Sequence, residues 1–434
     1  MPVTHPRLTR IFARFGAPSA RLARAELLAS RDEHRAAFPL FVRAAHAGLR
    51  KGQYRLGRCY LLGLGVPMSI GEALRWLRRS ADGGDAAAQT LLGSLALQGV
   101  TEHVAMGLFG GGPGEADFAR AKYWCRKAIA SGSTEAKALL AFILTGGPEE
   151  YRDQAAGEIL YHEAAEAGWS GGQLGSAMTL LRDGTQAGAV QAAALLRSAA
   201  AGGAAVAHHL LGILAESGLT GPVDFPAAAA RYKEAAVLGH PSAQARYGFA
   251  LLHGRGIECD VFTAETWLRR AALAGDAQAA AVVGYLYARD GDLPPNYPEA
   301  AIWLRRAAEA GNVGAARTLG RMLRYGTGVH RDIPEAAHWL QFAAANGDET
   351  ARADLIFLAL TRQLGEDKRR LVADLLHEAA VAGDPEAQFG LGLCLAQGIG
   401  AEKDNVAGFA WVRRSADGGH PEATRMLAQL AAGV

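Results

Sequence analysis

The sequence predicts an all-α chain, an α/α solenoid of about eleven helix hairpins with a 36-residue repeat. Three observations carry this expectation: a glycine that recurs at a fixed interval, rows of small residues and tryptophans in register with it, and the lack of any alternating stretch long enough to build a sheet. The anchor glycines are Gly48, Gly84, Gly132, Gly168, Gly203, Gly239, Gly275, Gly311, Gly347, Gly383 and Gly419. They stand 36 residues apart, save for one interval of 35 and one of 48. The stretch Trp303-Leu-Arg-Arg-Ala-Ala-Glu-Ala-Gly311 nearly repeats Trp267-Leu-Arg-Arg-Ala-Ala-Leu-Ala-Gly275. Units of this length cannot bury an apolar face alone, so they stack.

Composition agrees. The chain has 434 residues, of which 50% are apolar and 20% charged, too apolar for general disorder. Aromatics at 7% beside 54 Gly argue against one large aromatic-filled core. The four cysteines, Cys59, Cys125, Cys259 and Cys394, are too few and too scattered for a disulfide framework or a metal site. No stretch is apolar enough to span a membrane. Arg7, Arg10 and Arg14 interrupt the apolar residues at the start, so no signal core is read there and a cytoplasmic location is expected.

Along the chain, residues 1–30 form a basic arm or capping helix. Arg7, Arg10, Arg14, Arg21 and Arg24 have no acid among the first 25 residues, and Leu8, Ile11, Phe12 and Phe15 interleave at helical spacing. Residues 1–60 carry a net charge of +9 and the remainder −7. Three roles stand open for this end: a solvated cap, a docking arm for an acidic protein, or a peripheral contact with a membrane surface. The repeats fill residues 31–434. The long interval marks an insertion at about 99–117 that holds Gly107-Leu-Phe-Gly-Gly-Gly-Pro-Gly114. Glu115 and Asp117 follow where a phosphate loop needs Lys-Ser or Lys-Thr, so this is a surface loop or a partner-contact loop.

Within the register, the residue four past each anchor is Gly or Ala in all eleven units, and the one four before it is Ala or Ser. Eight before it stand six of the seven Trp: Trp76, Trp124, Trp267, Trp303, Trp339 and Trp411. Nine past it Gly recurs seven times. Small residues let two helix axes approach, and the Trp fills the space beside them. In one unit, Val313 to Tyr325 reads as a first helix with Ala315, Leu319 and Leu323 on one face. Gly326-Thr-Gly328-Val stops it, Asp332 caps a second helix with Pro334 in its first turn, and Trp339 and Leu340 face inward.

These features resemble the Sel-1-like repeat, a relative of the tetratricopeptide repeat, over nearly the whole chain from Asp32. The loop pattern is lost around Thr361 to Arg370, Leu replaces Trp at Leu40, Leu160, Leu195 and Leu375, and Arg231 takes that place in another unit. The resemblance implies a right-handed superhelix whose concave groove binds other proteins. Arg outnumbers Lys by 38 to 7, which with the Ala and Gly content points to a GC-rich bacterial genome.

No catalytic constellation is read. His162-Glu163 and His377-Glu378 lack the second His of a zinc-protease helix, with Glu166 and Val381 in its place. His208 and His209 are adjacent and point apart on a helix. No cofactor or metal is expected. Binding is placed on the face opposite the core rows, near 7, 10 and 14 residues past each anchor. In the middle units this stripe gives Arg246, Phe249 and His253; Tyr285 and Arg289; Arg321 and Tyr325; and Phe357. Arg, Tyr and Phe are enriched at interfaces, although aromatics at helical spacing also pack between repeats. The function expected is a non-enzymatic scaffold or adaptor that binds an acidic protein surface or peptide through the groove and through Arg7, Arg10 and Arg14. A hydrolase, as credited to some repeat relatives, and a membrane-surface adaptor are the alternatives. Nucleic acid is excluded because the array past residue 60 is net acidic.

Overall fold

The computed structural model describes residues 17–100, 114–289, 291–361 and 363–431, and all regular structure among them is helical. Arg7, Arg10, Arg14 and the glycine-rich residues 107–113 lie outside the described residues. The chain divides into two compact units, Met1–Val223 and Asp224–Val434.

The first unit contains α1 (Pro18–Ala29), α2 (His34–His46), α3 (Arg50–Leu62), α4 (Ile70–Asp82), α5 (Ala86–Leu97), α6 (Phe118–Ala130), α7 (Thr134–Gly146), α8 (Gln154–Glu166), α9 (Ser170–Arg182), α10 (Gln186–Ala201) and α11 (Ala205–Ser217). The second contains α12 (Phe225–Val237), α13 (Pro241–His253), α14 (Val261–Leu273), α15 (Ala277–Ala288), α16 (Tyr297–Glu309), α17 (Val313–Tyr325), α18 (Ile333–Ala345), α19 (Glu349–Leu360), α20 (Glu366–Val381), α21 (Pro385–Gln397), α22 (Asn405–Asp417) and α23 (Pro421–Ala431). From α3 onward, odd-numbered helices follow an anchor glycine and even-numbered helices end at one. Helices pack mainly on their sequence neighbours, which is the α/α solenoid arrangement.

Gly311 shows how one hairpin passes to the next. Its φ of +91° is left-handed, its N–H donates to the Ala308 carbonyl at 2.9 Å, and the Asn312 N–H donates to that of Ala307 at 2.9 Å. A Cβ there would meet nothing within 4 Å, so the backbone conformation selects glycine and the available space does not. Asn312 Oδ1 then accepts the Ala315 N–H at 2.9 Å and caps α17. The residue after the anchor caps a helix in the same way at Asp85, Ser133, His240, Asp276, Asp348, Asp384 and His420. Leu49, Trp169 and Ala204 make no such bond.

The small-residue rows are the contact points of the hairpins. All eleven residues four past the anchors are buried, and of those four before only Ala379 is partly exposed. A Cβ on Gly172 would fall 2.5 Å from the Ala164 Cβ. Gly248, Gly284 and Gly320, nine past their anchors, face Leu268, Leu304 and Leu340 of the next second helix, where a Cβ would come 2.7 Å from Cγ. Trp303 and Trp339 donate their indole N–H to Glu299 and Glu335 at 3.4 and 3.2 Å. Those glutamates stand three residues past the capping Asn296 and Asp332, which accept their backbone N–H groups, so each glutamate is held in the first turn where its carboxylate orients the tryptophan. Where Leu195 and Leu375 replace Trp, α10 and α20 run to 16 residues against 13 in α18.

At the start of the first unit, α1 packs on α2 with Ala25 buried, and Glu26 pairs with Lys51 and Arg55 of α3 at 3.0 and 3.1 Å. Residues 18–29 of the basic segment are therefore a packed helix.

Candidate functional site

The expected stripe lies in the second unit and separates into two kinds of side chain. Phe249 of α13 and Tyr285 of α15 are half-buried against the core. A Cβ on Gly314 would sit 2.8 Å from the Tyr285 hydroxyl, so this ring bridges α15 to α17, and burial raises its pKa. The remaining residues face outward. Arg246 and His253 on α13, Arg289 just past α15, Arg321 and Tyr325 on α17 and Phe357 on α19 are all exposed.

The repeat register misses one central group, Arg324. It lies thirteen past its anchor, off the rows, and is buried to 7% exposure. Its guanidinium pairs with Asp354, 4.8 Å from the Tyr325 ring centroid and 4.3 Å from that of Phe357. Arg321 reaches the same carboxylate at 3.5 Å. One acid thus fixes two arginines and holds a cation between two exposed rings. Beside them, Tyr297, Arg317, Thr318, Arg321 and Tyr325 border a shallow hollow of about 270 Å³.

A larger cleft, about 690 Å³, lies in the first unit between α7 and α9 with α8 as its floor. Leu139, Phe142 and Gly146 of α7 face Gly175, Met178 and Arg182 of α9. These are the positions 7, 10 and 14 past Gly132 and Gly168, the rows that define the stripe in the second unit. Trp169 closes one end beside Glu135, and Tyr161 rises from α8 beneath Gly175.

Other polar clusters have structural duties. Arg269 bonds Glu265, Glu299 and the Tyr287 hydroxyl at 2.7, 2.7 and 3.0 Å, tying α14, α15 and α16. Burial opposes its charge, but the two carboxylates outweigh burial and raise its pKa. His162, Glu163, His377 and Glu378 are exposed on second helices, as their sequence context indicates. Among the described residues, no group of three or more His, Cys, Asp or Glu is placed to hold a metal ion, and no helix is long and apolar enough to cross a membrane.

The Sel1 repeat pattern matches residues 50–85, 86–133, 134–169, 241–276, 277–312, 314–348 and 385–420. Most of these segments begin two residues past an anchor glycine. The unmatched stretches hold Leu195, Arg231 and Leu375 at the Trp position, and helices pair there all the same. Among solved structures, a protective antigen of uropathogenic Escherichia coli displaying an SLR fold is 26% identical, with 87% of this chain and 79% of that chain covered at a TM-score of 0.59. A Sel1 repeat protein from Oxalobacter formigenes is 27% identical over 56% of this chain and 99% of its own, with a TM-score of 0.40. With matched repeats over more than half its length and the anchor, cap and small-residue contacts in place, the chain belongs to the Sel1 repeat family.

Proposed function

We propose that the chain is a non-enzymatic, cytoplasmic scaffold or adaptor that brings proteins together on the outward faces of its first helices. The observation that carries this reading is the Arg321, Tyr325 and Phe357 group, exposed on successive repeats and ordered by the buried Arg324–Asp354 pair. Pre-ordered Arg and aromatic side chains are what tight protein contacts use, because little conformational freedom remains to be lost. Arg246, Arg289 and Arg321 favour an acidic protein surface or peptide, and the basic N-terminal end with Arg7, Arg10 and Arg14 supplies a second contact of the same sign preference.

The test is affinity capture from lysate of the source cell, with the full chain and with Arg321→Ala/Tyr325→Ala/Phe357→Ala as baits. The triple variant should lose captured proteins while its melting curve stays close to that of the parent. Identical captures by both baits refute binding on this face. A chain lacking residues 1–16, assayed at low and high salt, tests the N-terminal contact: association should slow and become less salt-dependent.

A further inference from the structure

Three residues at the start of α9 depart from the repeat pattern. Trp169 stands where eight other units place a capping side chain, makes no cap, and leaves its ring 38% exposed. Gly171 and Gly175 lie within the helix, where Ala is the better former. Gly175 makes room for the buried Tyr161 ring, and Gly171 makes room for the Trp169 indole. A Cβ on Gly171 would come 3.1 Å from the Trp169 Nε1, and one on Gly175 would come 2.1 Å from the Tyr161 ring. The cleft of about 690 Å³ beside them is walled by Phe142 and Met178, which are 50% and 55% exposed. Trp169 gives up a helix cap and places a large aromatic at the surface, and departures of this kind mark functional positions.

The cleft also carries one unanswered charge. Glu135 lies at its edge with no cation paired to it among the described residues. The nearby cations are already taken, Lys137 by Glu163 at 2.7 Å and Arg182 by Glu158 at 2.7 Å. Glu135 is exposed at the cleft edge, and partial desolvation of its carboxyl raises its pKa.

The geometry points to the α7–α9 cleft as a docking site for a protein segment that carries a Lys or Arg beside large apolar side chains. The apolar groups enter between Phe142, Trp169 and Met178, and the cation meets Glu135 and the indole face. The cleft runs open along the two helices, which suits a length of chain. This site deepens the scaffold reading and rests on it, but it selects a basic apolar segment where the second unit favours an acidic one.

Phage-displayed random peptides panned on the immobilised full-length chain test the assignment, with the most enriched peptide then synthesised and its affinity measured by fluorescence anisotropy. Sequences pairing Lys or Arg with apolar residues should be enriched. Trp169→Asn should weaken that peptide at least about tenfold, as loss of a central aromatic contact does. Its melting temperature should hold or rise, because Asn restores the cap. Glu135→Lys should abolish binding. Enrichment of acidic or uncharged sequences, or affinity unaffected by Trp169→Asn, overturns the site. If the peptides instead depend on Arg321 and Tyr325, the cleft fails and the scaffold reading survives; if nothing is enriched, both fail.

Discussion

Replacing Gly320 by Ala tests the hairpin contact directly, because two opposed effects act at one atom. The new Cβ would lie 2.7 Å from the Leu340 Cγ, 3.1 Å from its Cδ2 and 3.2 Å from the Ala336 carbonyl oxygen. Leu340 is fully buried, so it has little room to move aside. Forcing one extra methyl into such a contact costs about 1–3 kcal/mol. Ala in a helix interior gains about 1 kcal/mol over Gly. The net for Gly320→Ala is a loss of about 1 kcal/mol. With Leu340→Ala already present, itself costing about 2–5 kcal/mol, the two closest contacts are gone and only the Ala336 carbonyl remains, so the same change should be close to neutral or stabilise by up to about 1 kcal/mol. Urea unfolding of the four proteins, followed by far-UV circular dichroism, gives the coupling energy. Gly311→Ala is the control: it costs about 1–2 kcal/mol through its positive φ and should show no coupling to Leu340. If Gly320→Ala has the same sign in both backgrounds, the row is not a steric contact and the hairpin geometry argued from it is wrong.

Three further outcomes are expected. Tyr285→Ala should cost about 2 kcal/mol, since its half-buried ring bridges α15 and α17, whereas Arg321→Ala should stay within about 0.5 kcal/mol; thermal melts separate the packing member of the stripe from the exposed one. His240 Nδ1 accepts the Ala243 N–H at 3.3 Å and burial lowers its pKa, so its contribution to stability is present above the unfolded value of about 6.5 and lost as pH falls through the folded one. Urea midpoints should therefore drop on acidification from neutral pH, and drop less in His240→Asn, which keeps a cap but cannot titrate. Burial pushes the thiols of Cys59 and Cys394 up to about 11 and that of Cys125 to about 12, while Cys259 is exposed. A thiol reagent should accordingly modify one cysteine rapidly in the native chain and all four in denaturant.

The repeat register made the fold legible because each row maps onto one steric or backbone requirement. Gly311 needs a positive φ, Ala315 fits only a small side chain, and Asp332 accepts the Glu335 N–H at 2.8 Å. The proposed binding face was legible only in part. Counting past the anchor places Phe249 and Phe357 on the same row, yet Phe249 is half-buried and Phe357 exposed, since the neighbouring repeat decides how far each ring is covered. Arg324 escapes the rows because its role depends on Asp354, thirty residues away in the next repeat. The α7–α9 cleft escapes for another reason: its signal is a departure from pattern at Trp169, Gly171 and Gly175, and a reading built on what recurs passes over what does not.

The cap position explains how such departures are tolerated. Trp169 lacks a capping side chain, but its backbone N–H still donates to the Ala164 carbonyl at 3.0 Å and Gly168 keeps a φ of +78°, so the turn closes without the side chain. Chain direction is set by one residue and helix capping by the next, and the two duties are separable. A junction whose capping residue makes no other bond therefore offers a slot that can be rewritten for recognition at the cost of that cap, as at Asp276, whereas Asp348 and Asp384 also pair with Arg317 and Arg352. An engineer wishing to graft a new binding specificity onto this chain would start at Asp276 and leave every anchor glycine alone.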